Sequence, residues 1–147
     1  MKEITSLTKQ QIMSEVFLQN IIKERSIIQV AFIQHITALF KDFSDQDIRT
    51  IDEVCHFSDG INPETKVGWI PLAFKTKIPE YLNVIEQRAQ DFLSSIGRGK
   101  YVYPLFKAYT QALPRDCWEF YIQVKNTYHP LVQKGVADII TRPSQVN

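Results

Sequence analysis

Apolar residues along this chain recur mostly three and four positions apart, the period of α-helices packed on one side. The cleanest stripe is Leu82, Ile85, Ala89, Phe92 and Ile96. It begins behind Pro79, and a proline starts a helix at little cost because its missing donor would be unpaired there anyway. Gly97 is expected to close this helix in a left-handed cap, a conformation glycine adopts without a Cβ penalty. Upstream, Thr8 and Gln11 have the spacing of a capping box, with Leu7 able to staple against Ile12, and the helical pattern runs on through Val16, Phe17 and Ile21. Ser26 breaks or caps it before a second stripe, Ile28, Phe32, Ile36 and Leu39.

Phe43-Ser44-Asp45 reads as a turn with a capping residue, followed by a short helix carrying Ile48, Ile51 and Val54. Residues 58–63 form a loop rich in turn formers. Asn62 then caps a helix that opens on Pro63-Glu64 and buries Val67, Ile70 and Phe74, with Pro71 expected to kink or shorten it. Leu105, Phe106 and Tyr109 lie on a further short helix broken by Pro114; Trp118, Tyr121, Ile122 and Lys125 follow, and a Tyr128-His129-Pro130 corner opens the last helix with Leu131, Val132, Val136 and Ile139. Nowhere does two-residue alternation persist. The expected fold is all-α, with about seven short helices joined by tight turns and stacked as antiparallel pairs in a solenoid-like array, although no strict sequence repeat is present. Trp69, Ile85, Phe92, Phe106 and Trp118 are expected in the core.

The length of 147 residues, with 44% hydrophobic and 12% aromatic, suits one domain with a real core. A formal charge of +1 supplies no global field for nucleic acid or an acidic membrane surface. Cys55 and Cys117 have neither disulfide-framework nor metal spacing, so they read as reduced thiols of a cytoplasmic protein. The apolar run at 27–40, interrupted by Gln29, Gln34 and His35, is too short and polar to span a bilayer.

Little chemistry is legible. His35, His56 and His129 fall in no zinc-protease pattern, and the adjacent Cys55 and His56 are poorly placed to share a metal, so each histidine reads as structural. A phosphate-binding loop fails at Ser94 and at Tyr101, where glycine and a magnesium-binding hydroxyl are required. The chain is read as having no catalytic centre and no metal site of its own. What remains is the stretch SSIGRGKYVYPLFKAY at 94–109, where Arg98 and Lys100 sit in a glycine hinge between two helices. On local sequence alone, an ordinary helix cap with two solvated cations is the better reading.

Three ordered pieces change that balance: Asn62-Pro-Glu64 with Trp69, then Gly97-Arg98-Gly99-Lys100-Tyr101 with Pro104-Leu105-Phe106, then Tyr128-His129-Pro130. Together with residues 53–62 they resemble the C-terminal helical domain of zinc aminopeptidases of the leukotriene-A4 hydrolase and aminopeptidase B type, over about residues 36–141. The domain is therefore drawn at 26–143, with 1–25 as an unmatched helical extension. The resemblance implies an armadillo-like superhelix packed against a catalytic domain that holds the zinc and is absent from this chain. It also implies that Arg98 and Lys100 reach a substrate channel and hold the free carboxylate of a peptide substrate. An arginine fork, a lysine point charge and helix N–H groups suit such a small anion, and the anion site now moves ahead of the plain cap. Two positions depart from the family pattern. Gly68 stands where a large basic residue is usual and is expected to loosen its helix. Gly99 replaces a bulkier residue, typically methionine, and is expected to leave the loop more mobile. The partners implied are the peptidase's catalytic domain and a peptide, with neither nucleic acid nor membrane. The alternative is a stand-alone helical-repeat module that binds a protein on its concave face.

Overall fold

The computed structural model describes residues 6–142. Residue 143, where the domain was drawn to end, and residues 1–5 of the extension lie outside the described residues. Nine α-helices occupy the described residues: α1 (Lys9–Ile12), α2 (Glu15–Ile21), α3 (Ser26–Ala38), α4 (Asp45–Cys55), α5 (Pro63–Ala73), α6 (Pro79–Ser95), α7 (Gly99–Ala112), α8 (Pro114–Val124) and α9 (Pro130–Thr141). No strand occurs among the described residues, so the expected all-α stack is what forms.

Starts and stops follow local chemistry. Thr8 and Gln11 exchange side-chain and backbone hydrogen bonds as a capping box, and Ser44 does the same with Asp47. Asn62 accepts from the Glu64 N–H at 2.9 Å, and prolines 63, 79, 114 and 130 each open a helix. His129 caps α9 through Nδ1, which accepts from the Leu131 N–H at 3.1 Å.

Four helices form one layer, in which α3 packs on α5, α5 on α7 and α7 on α9. The intervening helices α4, α6 and α8 pack behind them, and α2 packs on α4. Within the first layer α5 and α7 are parallel: Glu64 at the start of α5 meets Lys100 at the start of α7, while Phe74 at the end of α5 stacks on Tyr109 near the end of α7, centroids 5.2 Å apart. One continuous core runs between the layers and takes in Ile12, Leu18 and Ile21 from the N-terminal helices along with Phe32, Ile51, Trp69, Ile85 and Phe106.

A buried polar knot fastens α4, α6 and the loop between α4 and α5. Asp52, 2% exposed, accepts from the Ser58 N–H at 3.0 Å, the Ser58 hydroxyl at 2.6 Å and the Tyr81 hydroxyl at 2.7 Å. Trp69 Nε1 donates to the Tyr81 oxygen at 3.1 Å, and Arg88 donates to Ser58 Oγ at 2.7 Å while its second nitrogen lies 3.3 Å from Asp59. Burial, then the Asp52 charge, raises the Tyr81 pKa well above that of an ordinary phenol, so this hydroxyl stays a donor.

Several expectations change. Gly97 is not left-handed: α6 ends on an extended Ile96, and no described glycine has positive φ. His56, at φ 55°, takes that conformation instead, as the cap of α4. Pro71 and Pro104 lie inside α5 and α7 without ending them, and the helix carrying Leu105 is 14 residues long rather than short. The first helical pattern splits at Met13-Ser14, because Ser14 caps a new helix and leaves Val16 71% exposed. Trp118 is not core: at 44% exposed it lies on the outer side of α8, its ring 6.1 Å from that of Tyr121. Gly68 lets α3 approach closely, since a Cβ there would stand 3.2 Å from Ile33 Cγ2.

Truncating a closed aromatic and a half-open one should therefore differ. Phe106→Ala removes a ring fully buried among Phe120, Tyr121 and Tyr128 and should cost about 3–5 kcal/mol in urea denaturation. Trp118→Ala should cost less than about 1 kcal/mol. Equal losses would show that the outer face of α8 is misassigned.

Candidate functional site

The two cations of the glycine stretch flank one aromatic ring. Arg98 is the N-cap of α7, extended at φ −77° and ψ 127°, and its carbonyl accepts from the N–H groups of Tyr101 and Val102. Gly99 is the first helical residue rather than part of a loop, and Lys100 follows in the first turn. The Arg98 guanidinium carbon lies 5.6 Å from the Tyr101 ring centroid and Lys100 Nζ lies 5.4 Å from it. The ring itself is buried, edge-on to Phe92 at 6.3 Å, so it is a fixed platform for both charges.

The cations then diverge. Lys100 Nζ is 2.9 Å from Glu64 Oε1, the same oxygen to which the Tyr101 hydroxyl donates at 2.9 Å. Arg98 is exposed and makes no ion pair among the described residues. Glu64 and the lysine shift each other's titration. The Lys100 hydrogen bond first, then that of Tyr101, holds the Glu64 carboxyl below its ordinary 4.5, and Glu64 raises the Lys100 pKa. The pair thus helps folding above the ordinary Glu pKa and below the ordinary Lys pKa. It is lost as pH falls through the lowered Glu64 value or rises through the raised Lys100 value.

Sequence reading placed Arg98 and Lys100 together, and the structure does bring them to one ring. It missed Glu64 as the answering carboxylate. Glu64 had been read as a dipole-favouring first-turn acid, which it also is. A contact across 36 residues leaves no local signal. Gly99 has a role that local sequence hid as well: a Cβ there would stand 2.7 Å from the Tyr103 ring, and one at Gly135 in α9 would stand 2.6 Å from the Tyr103 hydroxyl. The tyrosine lies between two bare positions and lets α9 close on α7.

Beside the site, a cleft of about 310 Å³ is lined by Lys66, Arg88, Asp59, Asp91 and Phe92. Lys66 Nζ lies 5.3 Å from the Phe92 ring, whose other neighbour is Tyr101, so one aromatic pair stands between the cleft and the cation platform. Among the described residues, no group of three or more His, Cys, Asp or Glu side chains is placed to hold a metal ion. His35 Nε2 is bonded to the Leu7 carbonyl at 3.0 Å and His56 faces Asp59 at 3.3 Å. Burial pushes both thiols, Cys55 and Cys117, up to about 12. No helix among the described residues is long and apolar enough to cross a membrane.

This two-layered helical stack, with a cation pair where α6 turns into α7, matches the family model for the C-terminal domain of leukotriene A4 hydrolase over residues 8–140. The chain belongs to that family. The match takes in α1 and α2, part of the segment that sequence reading set apart as 1–25. No solved structure matches the chain.

The ion pair can be checked directly. In a carbon-detected NMR titration the Glu64 carboxyl should have its midpoint below 4.5, and Lys100→Met should move that midpoint upward. A midpoint unmoved by the substitution would show that the two groups do not meet in solution.

Proposed function

We propose that this chain is the accessory helical domain of a zinc-dependent aminopeptidase, forming one wall of its substrate channel and binding the free carboxylate of a peptide substrate. The observation that carries this reading is Arg98. An exposed guanidinium, fixed over a buried ring at the mouth of a 14-residue helix and paired with no acid among the described residues, is a ready receptor for a planar anion. Family membership supports the partner, a catalytic domain of the same enzyme. Zinc would belong to that domain, since the described residues offer no ligand set for it. The two reduced, buried cysteines fit a cytoplasmic enzyme.

The roles of the two cations are unequal. Arg98 offers two parallel N–H donors to an incoming carboxylate with no ion pair to break among the described residues. Lys100 is already answered by Glu64, so a substrate can claim it only by displacing that carboxylate. The lysine therefore sets the local potential and the arginine takes the anion.

In the enzyme containing this domain, Arg98→Ala should lower kcat/KM for a peptide with a free C-terminus by roughly 30-fold, and Lys100→Ala by several-fold less. Amidating the peptide should reproduce most of the Arg98 loss, and the two changes should not add. If free and amidated peptides are cleaved equally well, or Arg98→Ala harms both alike, the carboxylate role is wrong.

A further inference from the structure

A second surface lies toward the opposite end of the parallel pair α5 and α7. There the two helices leave an open groove of about 730 Å³. Its α5 wall is Pro71 and Phe74, and its α7 wall is Pro104, Ala108, Gln111 and Ala112, so the lining between the lysines is mostly apolar and built mainly from short or rigid side chains. Lys75, Lys77 and Lys107 surround it, all exposed. None of the three ammonium groups forms an ion pair among the described residues. Lys75 Nζ lies 5.4 Å from the Phe40 ring, and Lys77 meets Asp45 only through its backbone N–H, at 2.9 Å. In a chain of net charge +1, three unanswered positive charges around one apolar groove are a local concentration rather than a share of a basic surface.

We propose that this groove docks an acidic peptide segment of a partner protein, with leucine-type side chains entering between α5 and α7 and glutamates or aspartates meeting Lys75, Lys77 and Lys107. Charge complementarity selects the sign of the partner. Shape selects its kind. The groove lies between two helices, and its one aromatic, Phe74, is 3% exposed, so no large apolar side chain is offered for insertion into a bilayer and a nucleic-acid base has no open ring to stack on. A peptide side chain can enter. This inference is independent of the Arg98 reading.

The test uses the full chain and a fluorescent, end-capped hexapeptide of glutamate and leucine, followed by anisotropy. Binding should have a Kd on the order of 10–100 μM at low salt. It should weaken at least tenfold at about 1 M salt, where the screening length falls to about 3 Å. The double variant Lys75→Glu, Lys107→Glu should weaken it at least tenfold, as should Ala108→Tyr, which fills the groove. Arg98→Ala should leave it unchanged, so that failure here and failure of the carboxylate site are read separately. Should the charge reversals lower the Tm, Lys75→Gln with Lys107→Gln makes the same comparison. Three results would each overturn the proposal: a glutamate–glycine hexapeptide binding equally well, binding that survives the lysine variants, or lysine-dependent capture by phosphatidylserine vesicles in place of the peptide.

Discussion

A carboxylate removed almost wholly from water is tolerated only if the protein replaces that water with donors, and Asp52 imposes this condition on α4, α6 and the loop between α4 and α5. Its donors come from a loop residue, Ser58, and from Tyr81 on α6, and Arg88 answers the charge from two turns further along α6. Meeting all of them draws the 56–62 loop back over the end of α4. That shape delivers Asn62 as the cap of α5, and the cap fixes where Glu64 stands. The position of Glu64 in turn decides which cation of the α7 mouth is neutralised. An acid buried at the end of α4 thus sets the electrostatics of a surface that it never touches.

The parallel run of α5 and α7 has a second consequence. Parallel neighbours gather helix N-termini at one edge and C-termini at the other, so their partial charges reinforce instead of cancelling. The N-terminal edge holds Arg98, Lys100 and a first-turn Glu64; Lys75 and Lys77 follow the carbonyl end of α5. The two edges are therefore different environments, although each displays lysine. At the first, a cation is partly satisfied by an acid that the helix end itself favours. At the second, cations complement helix carbonyls and remain free to meet an acid from outside.

Much of this architecture is legible locally. Thr8, Ser44 and Asn62 announce helix starts because a side-chain oxygen must satisfy orphan N–H groups within three residues, and prolines 79, 114 and 130 do so by geometry alone. The failures share a different cause. Gly97 carries the usual signature of a left-handed cap, yet Ile96 leaves the helix extended and removes the need for one. Trp118 sits at helical spacing with Tyr121 and Ile122, but α8 has a neighbour on one side only, and spacing does not say which side. Pro104 survives inside α7 because tertiary packing on both flanks outweighs one missing hydrogen bond. The cation pair could be located from sequence since its members are two residues apart. Its balance could not, because Glu64 arrives from another helix.

Tyr103 is held between Gly99 on its own helix and Gly135 on α9, with no room for a Cβ at either position. The three residues therefore form a single steric unit shared by two helices. Drift at any one of them is constrained by the others: a side chain can appear at 99 or 135 only in a lineage where the aromatic ring has already shrunk or turned away. A bulky residue at position 99 would thus imply a different spacing of the last two inner helices. The identity of one residue beside the cations then becomes a ruler for how tightly the end of the superhelix is wound.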